Sequence, residues 1–342
     1  MCDLNQEIAE AKNRIRMLDA AYLEDLKIQS ALSEPGTKRR AEDRKGWMDL
    51  LQSLKVDSTK LAEFEKADAK KAEATYKALE KGFKIFPDAV LAGAADRVRI
   101  DDHLDATLVL DEGEPYRHWL TYPLPYEHNG KVERGYVGEG GKQEGSCGST
   151  PSSMYDALVK PRSYSVGAGA GWDDQHTVSV KCWFWYYISG AFVKRAGTVF
   201  VWPYFDIHGG YWVRSNDGYF TSKEAAIRLS MTTSVWRPEH TSAAGYRWNV
   251  VNESDGNIDE DGRVDFTGWN NKAKGESQVK VGESLTVQVV IELRSHVEGS
   301  GSHALLNFQN GDGNYIRIPF IRVWVPQLIR LFLGSHLGTT RK

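Results

Sequence analysis

The chain has 342 residues, and 43 Lys and Arg against 46 Asp and Glu leave a formal net charge of -3. That balance supplies no overall field for nucleic acid or anionic lipid, so no nucleic-acid partner is expected. The length allows two domains and a full apolar core without staples, and the three cysteines, Cys2, Cys147 and Cys182, match no paired zinc-ligand spacing.

Met1 to Glu7 has neither the basic nor the apolar region of a secretory signal, and no stretch approaches the length of an apolar membrane span. The expectation is a soluble, cytoplasmic protein. Cys182 then reads as an inert residue of an apolar strand. A Cys147–Cys182 disulfide is the alternative for a chain exported without a signal.

Leu4, Ile8, Ala11, Ile15, Leu18 and Tyr22 alternate by four and three, the seam of a heptad helix, and Asp25 and Gln29 interrupt it. Glu34-Pro35-Gly36 ends that helix. A second helix is expected from about Lys38 to Leu54, burying Trp47, Leu50, Leu51 and Leu54. A third follows the cap Asp57-Ser58, with Leu61, Phe64, Ala72, Tyr76, Leu79 and Phe83 near helical spacing. Residues 1–100 are therefore read as a helical, coiled-coil-like domain, an antiparallel hairpin or three-helix bundle. Its narrow first seam fits pairing between chains, hence a homo-oligomer.

Ten of the eleven Trp lie beyond residue 100, and so do all but four of the 32 Gly. Residues 101–162 read as an irregular Gly- and Pro-rich connection: one strand at His103 to Leu110, a proline-stiffened run at Tyr122 to Tyr126, and a long mobile loop over 129–153. Gly145-Ser146-Cys147-Gly148-Ser149 lacks the strand-to-helix elbow and the base that a nucleophile requires. Gly167 to Gly171 lacks the third spacing of a dinucleotide fingerprint.

From residue 163 to 326 the pattern is that of an antiparallel β-sandwich of the jelly-roll type. In Val178 to Ile188, one strand face carries Val178, Val180, Cys182, Phe184, Tyr186 and Ile188, and the other Trp183, Trp185 and Tyr187. Thr198 to His208 repeats the alternation with Phe200, Trp202, Tyr204, Asp206 and His208 on one face. If the two runs pair as neighbours, their aromatic rows share one sheet face. Trp183, Trp185, Tyr187, Trp202, Tyr204 and His208 are accordingly the expected ligand-binding residues, a platform for sugar rings or a protein partner. The competing expectation is that this face packs against a second sheet or the N-terminal helices.

Oxygen donors at Asn257, Asp259, Asp261 and Asp265, with Gly262 between, resemble the spacing of a calcium loop, but Gly268 stands where the closing carboxylate belongs. Calcium at these four positions is the one cofactor expectation. The apolar tail, 327–342, is expected to dock on its own domain or a neighbour, or to touch a membrane surface without spanning it.

The fold class expected is thus α+β, a helical bundle followed by a sandwich. The functional expectation is a non-enzymatic assembly and binding protein whose sandwich presents an aromatic surface to a glycan or protein. A membrane-active, pore-forming toxin-like protein is the alternative, and a carbohydrate-active enzyme stands third, since no acid or His spacing demands chemistry.

Overall fold

The structure, a computed structural model, describes residues 9–28, 116–124, 129–137, 141–150, 156–167, 175–215, 223–238, 242–299, 301–310 and 313–326, together with isolated residues at 53, 59, 63, 67, 70 and 74. Sixteen strands are described: β1 (Tyr116–Thr121), β2 (Pro123–Leu124), β3 (Gly130–Val137), β4 (Lys142–Ser146), β5 (Leu158–Val159), β6 (Arg162–Val166), β7 (Gln175–Ile188), β8 (Gly197–Ser215), β9 (Glu224–Trp236), β10 (Ser242–Asp255), β11 (Ile258–Trp269), β12 (Gly275–Val279), β13 (Leu285–Glu298), β14 (His303–Asn307), β15 (Tyr315–Arg317) and β16 (Ile321–Pro326). They form two antiparallel sheets.

The smaller sheet runs β10-β9-β13-β7, with β2 and β3 sharing the outer edge of β7. The larger is organised by β8, whose 19 residues pair with β12 and then β11 along one edge, and with β16, β15 and β14 along the other. Alternation in each strand decides which residues face inward. Val178, Val180, Cys182, Phe184 and Tyr186 of β7 meet Val199, Val201, Phe205 and Ile207 of β8 across one core, which Val287, Val289, Ile291 and Val323 complete.

One helix, α1, is described along its length, over residues 9–28. Ala11, Ile15 and Leu18 of its expected seam are buried, and among the described residues that seam faces the sheet and not another helix. Ile15, Leu18 and Leu26 are buried against Trp183 and Trp185, with Tyr22, Leu23 and Trp236 packed at the margin. The expected N-terminal three-helix bundle is therefore corrected: the described chain is predominantly β, and α1 lies on the outward face of the smaller sheet. The reason is that two indoles on β7 offer an apolar surface to the stripe on α1, and an apolar helix face is satisfied by any such surface. Ser53, Thr59, Glu63, Ala67, Lys70 and Ala74 are helical and exposed. Trp47 and the apolar positions expected of the second and third helices lie outside the described residues, as do Leu4, Ile8, His103 to Leu110 and the tail 327–342.

The segment expected to be an irregular connection supplies β1 to β5. Its glycines mark close packing: a Cβ on Gly145 would press on Val132 and Val178, and one on Gly130 would meet Cys147. Cys147, just after β4 in the larger sheet, is disulfide-bonded to Cys182 of β7 in the smaller one, so the bond ties the two sheets together. Cys182 is thus a core residue and a cross-link at once. No helix among the described residues is long and apolar enough to cross a membrane.

Candidate functional site

The two aromatic runs do not pair. β7 bonds to β13, β2 and β3, whereas β8 lies in the opposite sheet, so the expected shared platform divides in two. Its first half is covered. Trp183 and Trp185 are 0% and 1% exposed, and Asp19 Oδ1 of α1 accepts a hydrogen bond from each indole Nε1, at 2.6 and 3.1 Å. Tyr22 stands edge-on to Trp183 with centroids 5.2 Å apart, and the Arg14 guanidinium donates to the Trp236 carbonyl at 2.9 Å. Tyr187 is half-buried. These side chains hold the helix down.

The second half lies on the outward face of the larger sheet and gains neighbours the linear pattern did not announce. Register places Trp202 beside Arg322, Phe200 beside Trp324, and Tyr204 beside Trp269. The Tyr204 amide donates to the Phe320 carbonyl, which brings that ring into the same row. The rings touch in sequence: Trp202 and Trp324 at 5.3 Å, Tyr204 and Phe320 at 5.0 Å, Tyr204 and Trp269 at 5.2 Å. Both parallel-tilted and edge-on contacts lie in the favourable range for aromatic pairs. Arg322 lays its guanidinium over Trp269, 4.4 Å from the ring centroid. Trp202 Nε1 donates to Asn271 Oδ1 at 3.2 Å. Trp202, Trp269, Asn271, Arg322 and Trp324 together line a depression of about 240 Å³.

A polar row continues this face along β8. Asp206 is 4% exposed and accepts from Thr267 Oγ1 at 2.9 Å and from the Tyr315 hydroxyl at 2.8 Å. His208 Nε2 lies 2.8 Å from Asp206, and its Nδ1 lies 2.8 Å from Asp265. The hydrogen bond with Asp206, reinforced by the charges of Asp206 and Asp265, raises the His208 pKa against the opposing effect of burial. Burial pushes Asp206 upward, but hydrogen bonds from His208, Tyr315 and Thr267 outweigh it and set the carboxyl below its ordinary value. Burial, then Asp206, drives the Tyr315 phenol well above its ordinary value, so it stays a donor. With a carboxylate oxygen 2.8 Å from each ring nitrogen, the imidazole has both nitrogens engaged. The row is built to present fixed polar groups.

Of the six expected ligand residues, the structure brings Trp202, Tyr204 and His208 onto this face and places Trp183, Trp185 and Tyr187 on the other sheet. Trp269, Asn271, Phe320, Arg322 and Trp324 escaped sequence reading. For Arg322 and Trp324 a signal was present in β16, where they alternate with core residues Ile321, Val323 and Val325.

Asn257 sits in the turn between β10 and β11, and Asp259, Asp261 and Asp265 follow along β11. An extended strand rises about 3.3 Å per residue, so Asp259 and Asp265 stand roughly 20 Å apart along the chain. Asp259 accepts from Trp212 Nε1 at 3.4 Å, and Asp265 faces His208. The strand spreads these oxygens along one line, whereas calcium gathers six to eight about a point.

No family model matches the chain, and no curated protein sequence matches it. Among solved structures, the CBM22-1 xylan-binding domain of Paenibacillus barcinonensis Xyn10C is 12% identical, covers 61% of this chain and 94% of its own, and has a TM-score of 0.16. The family 11 carbohydrate-binding module of the cellulosomal cellulase Lic26A-Cel5E of Clostridium thermocellum is 10% identical, covers 58% and 92%, and has a TM-score of 0.17. The enzymatically active domain of tailspike protein 4 from bacteriophage CBA120 is 9% identical, covers 52% and 18%, and has a TM-score of 0.16. At such scores these likenesses carry no argument, and the site is read from its own geometry.

Proposed function

We propose that the outward face of the larger sheet binds a glycan chain without cleaving it. The observation that carries this reading is the depression lined by the rings of Trp202, Trp269 and Trp324 together with the polar groups of Arg322 and Asn271. Sugar rings present an apolar C–H face and an equatorial rim of hydroxyls, so they are recognised by half-buried aromatic faces flanked by oriented polar groups. His208 and Asp265 lie on the same strand face, each four residues along its strand from Tyr204 and Trp269, and extend the surface over further sugar units, with the buried Asp206 fixing His208 from below.

The Cys147–Cys182 disulfide supports a place of action in an oxidising compartment rather than the cytosol, because such bonds persist where thiols are not kept reduced.

The test is a glycan microarray followed by calorimetric titration of the ligands it finds, with wild type and Trp269→Ala. Removing a central interface Trp costs about 2 kcal/mol or more, roughly a thirty-fold loss of affinity. Unchanged affinity in Trp269→Ala, with the fold intact by circular dichroism, would remove the depression from consideration.

A further inference from the structure

The outward face of the smaller sheet carries a second cluster, well apart from the aromatic depression. Glu224 of β9 and His296 and Glu298 of β13 place one ligand atom each so that all lie within 4.8 Å of one another. Three atoms that close share a centre no more than about 2.8 Å away, and modest rotation of the exposed Glu224 brings it to the 2.0–2.2 Å that zinc requires. We propose that Glu224, His296 and Glu298 bind a divalent transition-metal ion of the zinc class.

Three observations point to a cation and to this class. Glu224 and Glu298 are direct cross-strand partners. Like charges set opposite one another are destabilising unless something positive lies between them. His296 Nε2 lies 3.6 Å from Glu298 Oε1, beyond hydrogen-bond reach yet close to the roughly 3.4 Å edge between two ligands of a tetrahedral zinc ion. Thr177 Oγ1 lies 2.7 Å from His296 Nδ1, on the far side of the ring. A partner on one ring nitrogen fixes the imidazole and turns the other nitrogen toward a metal, the usual arrangement around ligating histidines. One imidazole with two carboxylates suits zinc, cobalt or manganese better than calcium or magnesium, which take oxygen alone.

The site opens into a cleft of about 380 Å³. The cleft exists because Ala226, directly opposite His296 in the register, is too short to fill the space between Glu224 and Arg228. Three protein ligands leave at least one coordination position facing that cleft. Arg228 and Arg294 line its other end, so an oxygen-rich anionic group would find both the metal and a guanidinium within one cavity.

Calorimetric titration of the full chain with zinc alone, and absorption spectroscopy with cobalt, test the proposal. Wild type is expected to bind one zinc that His296→Ala and Glu298→Gln each weaken at least ten-fold, with cobalt bands of a nitrogen and oxygen site lost in the same variants. Urea midpoints measured without metal show that each variant is folded. No zinc binding by wild type, or zinc stoichiometry and affinity unchanged in both folded variants, overturns the assignment.

Discussion

Removing the Asp19 carboxylate is expected to unseat α1. Asp19 is 1% exposed, and its Oδ1 accepts from two buried indoles, those of Trp183 and Trp185. In Asp19→Ala both N–H groups lose that acceptor in a site closed to water. An orphaned buried donor costs about 1–3 kcal/mol, so two cost about 2–6 kcal/mol. Part is recovered because the carboxylate itself was expensive to bury. A net loss of about 3 kcal/mol is therefore expected, a large share of the 5–15 kcal/mol that typically holds a domain. Asp19→Asn keeps an acceptor oxygen and should lose about half as much. Urea unfolding at neutral pH, followed by tryptophan emission, measures both values, and emission of the folded Asp19→Ala protein should shift to the red as water reaches the indoles. A loss below about 0.5 kcal/mol with unshifted emission would refute the argument, since it would mean that α1 is not held by these bonds.

Two further outcomes follow, one from the bond between the sheets and one from the polar row within the larger sheet. Cys147→Ala with Cys182→Ala opens a loop with a sequence separation of 35 and should cost about 4 kcal/mol in urea unfolding; equal stability with and without reductant would show that the bond does not hold the sheets. His208 and Asp206 make opposite contributions to the pH profile. The folded His208 pKa is raised above 6.5, so its contribution is complete below that pH and is lost as pH rises through the folded value. The folded Asp206 pKa is lowered below 3.8, so its contribution is present above that value and is lost as pH falls through the folded one. His208→Gln should accordingly flatten the decline of stability above about pH 6.5. An unchanged slope in thermal unfolding across that range would count against the His208 network.

Local alternation was legible, and pairing was not. The two faces of β7 were read correctly from Val178 to Ile188, because side-chain direction in a strand depends only on sequence parity. Which strand lies beside β7 depends on contacts remote in sequence, and the chain between Ile188 and Gly197 crosses to the other sheet instead of closing a hairpin. The seam of α1 shows the same limit. Ile15 and Leu18 state that a helix has an apolar stripe, but nothing in their spacing distinguishes a second helix from a pair of indoles. Trp269 and Trp324 come from strands that reach β8 from opposite edges, so the depression exists only once both registers are set. His296 and Glu298, which sequence reading passed over, share one face of β13 by parity, and Glu224 joins them only through the pairing of β9 with β13.

The proposed ligand surface is the aromatic face of the larger sheet, whereas Trp183 and Trp185 on the smaller sheet lie beneath α1. Indole N–H signals in a nitrogen–proton correlation spectrum separate the two sets within one experiment. On titration with a glycan identified by array, the signals of Trp202, Trp269 and Trp324 should shift together and saturate, while those of Trp183 and Trp185, bonded to Asp19 beneath α1, stay in place. Shifts confined to Trp183 and Trp185, or binding that moves none of the three on the larger sheet, would contradict the account.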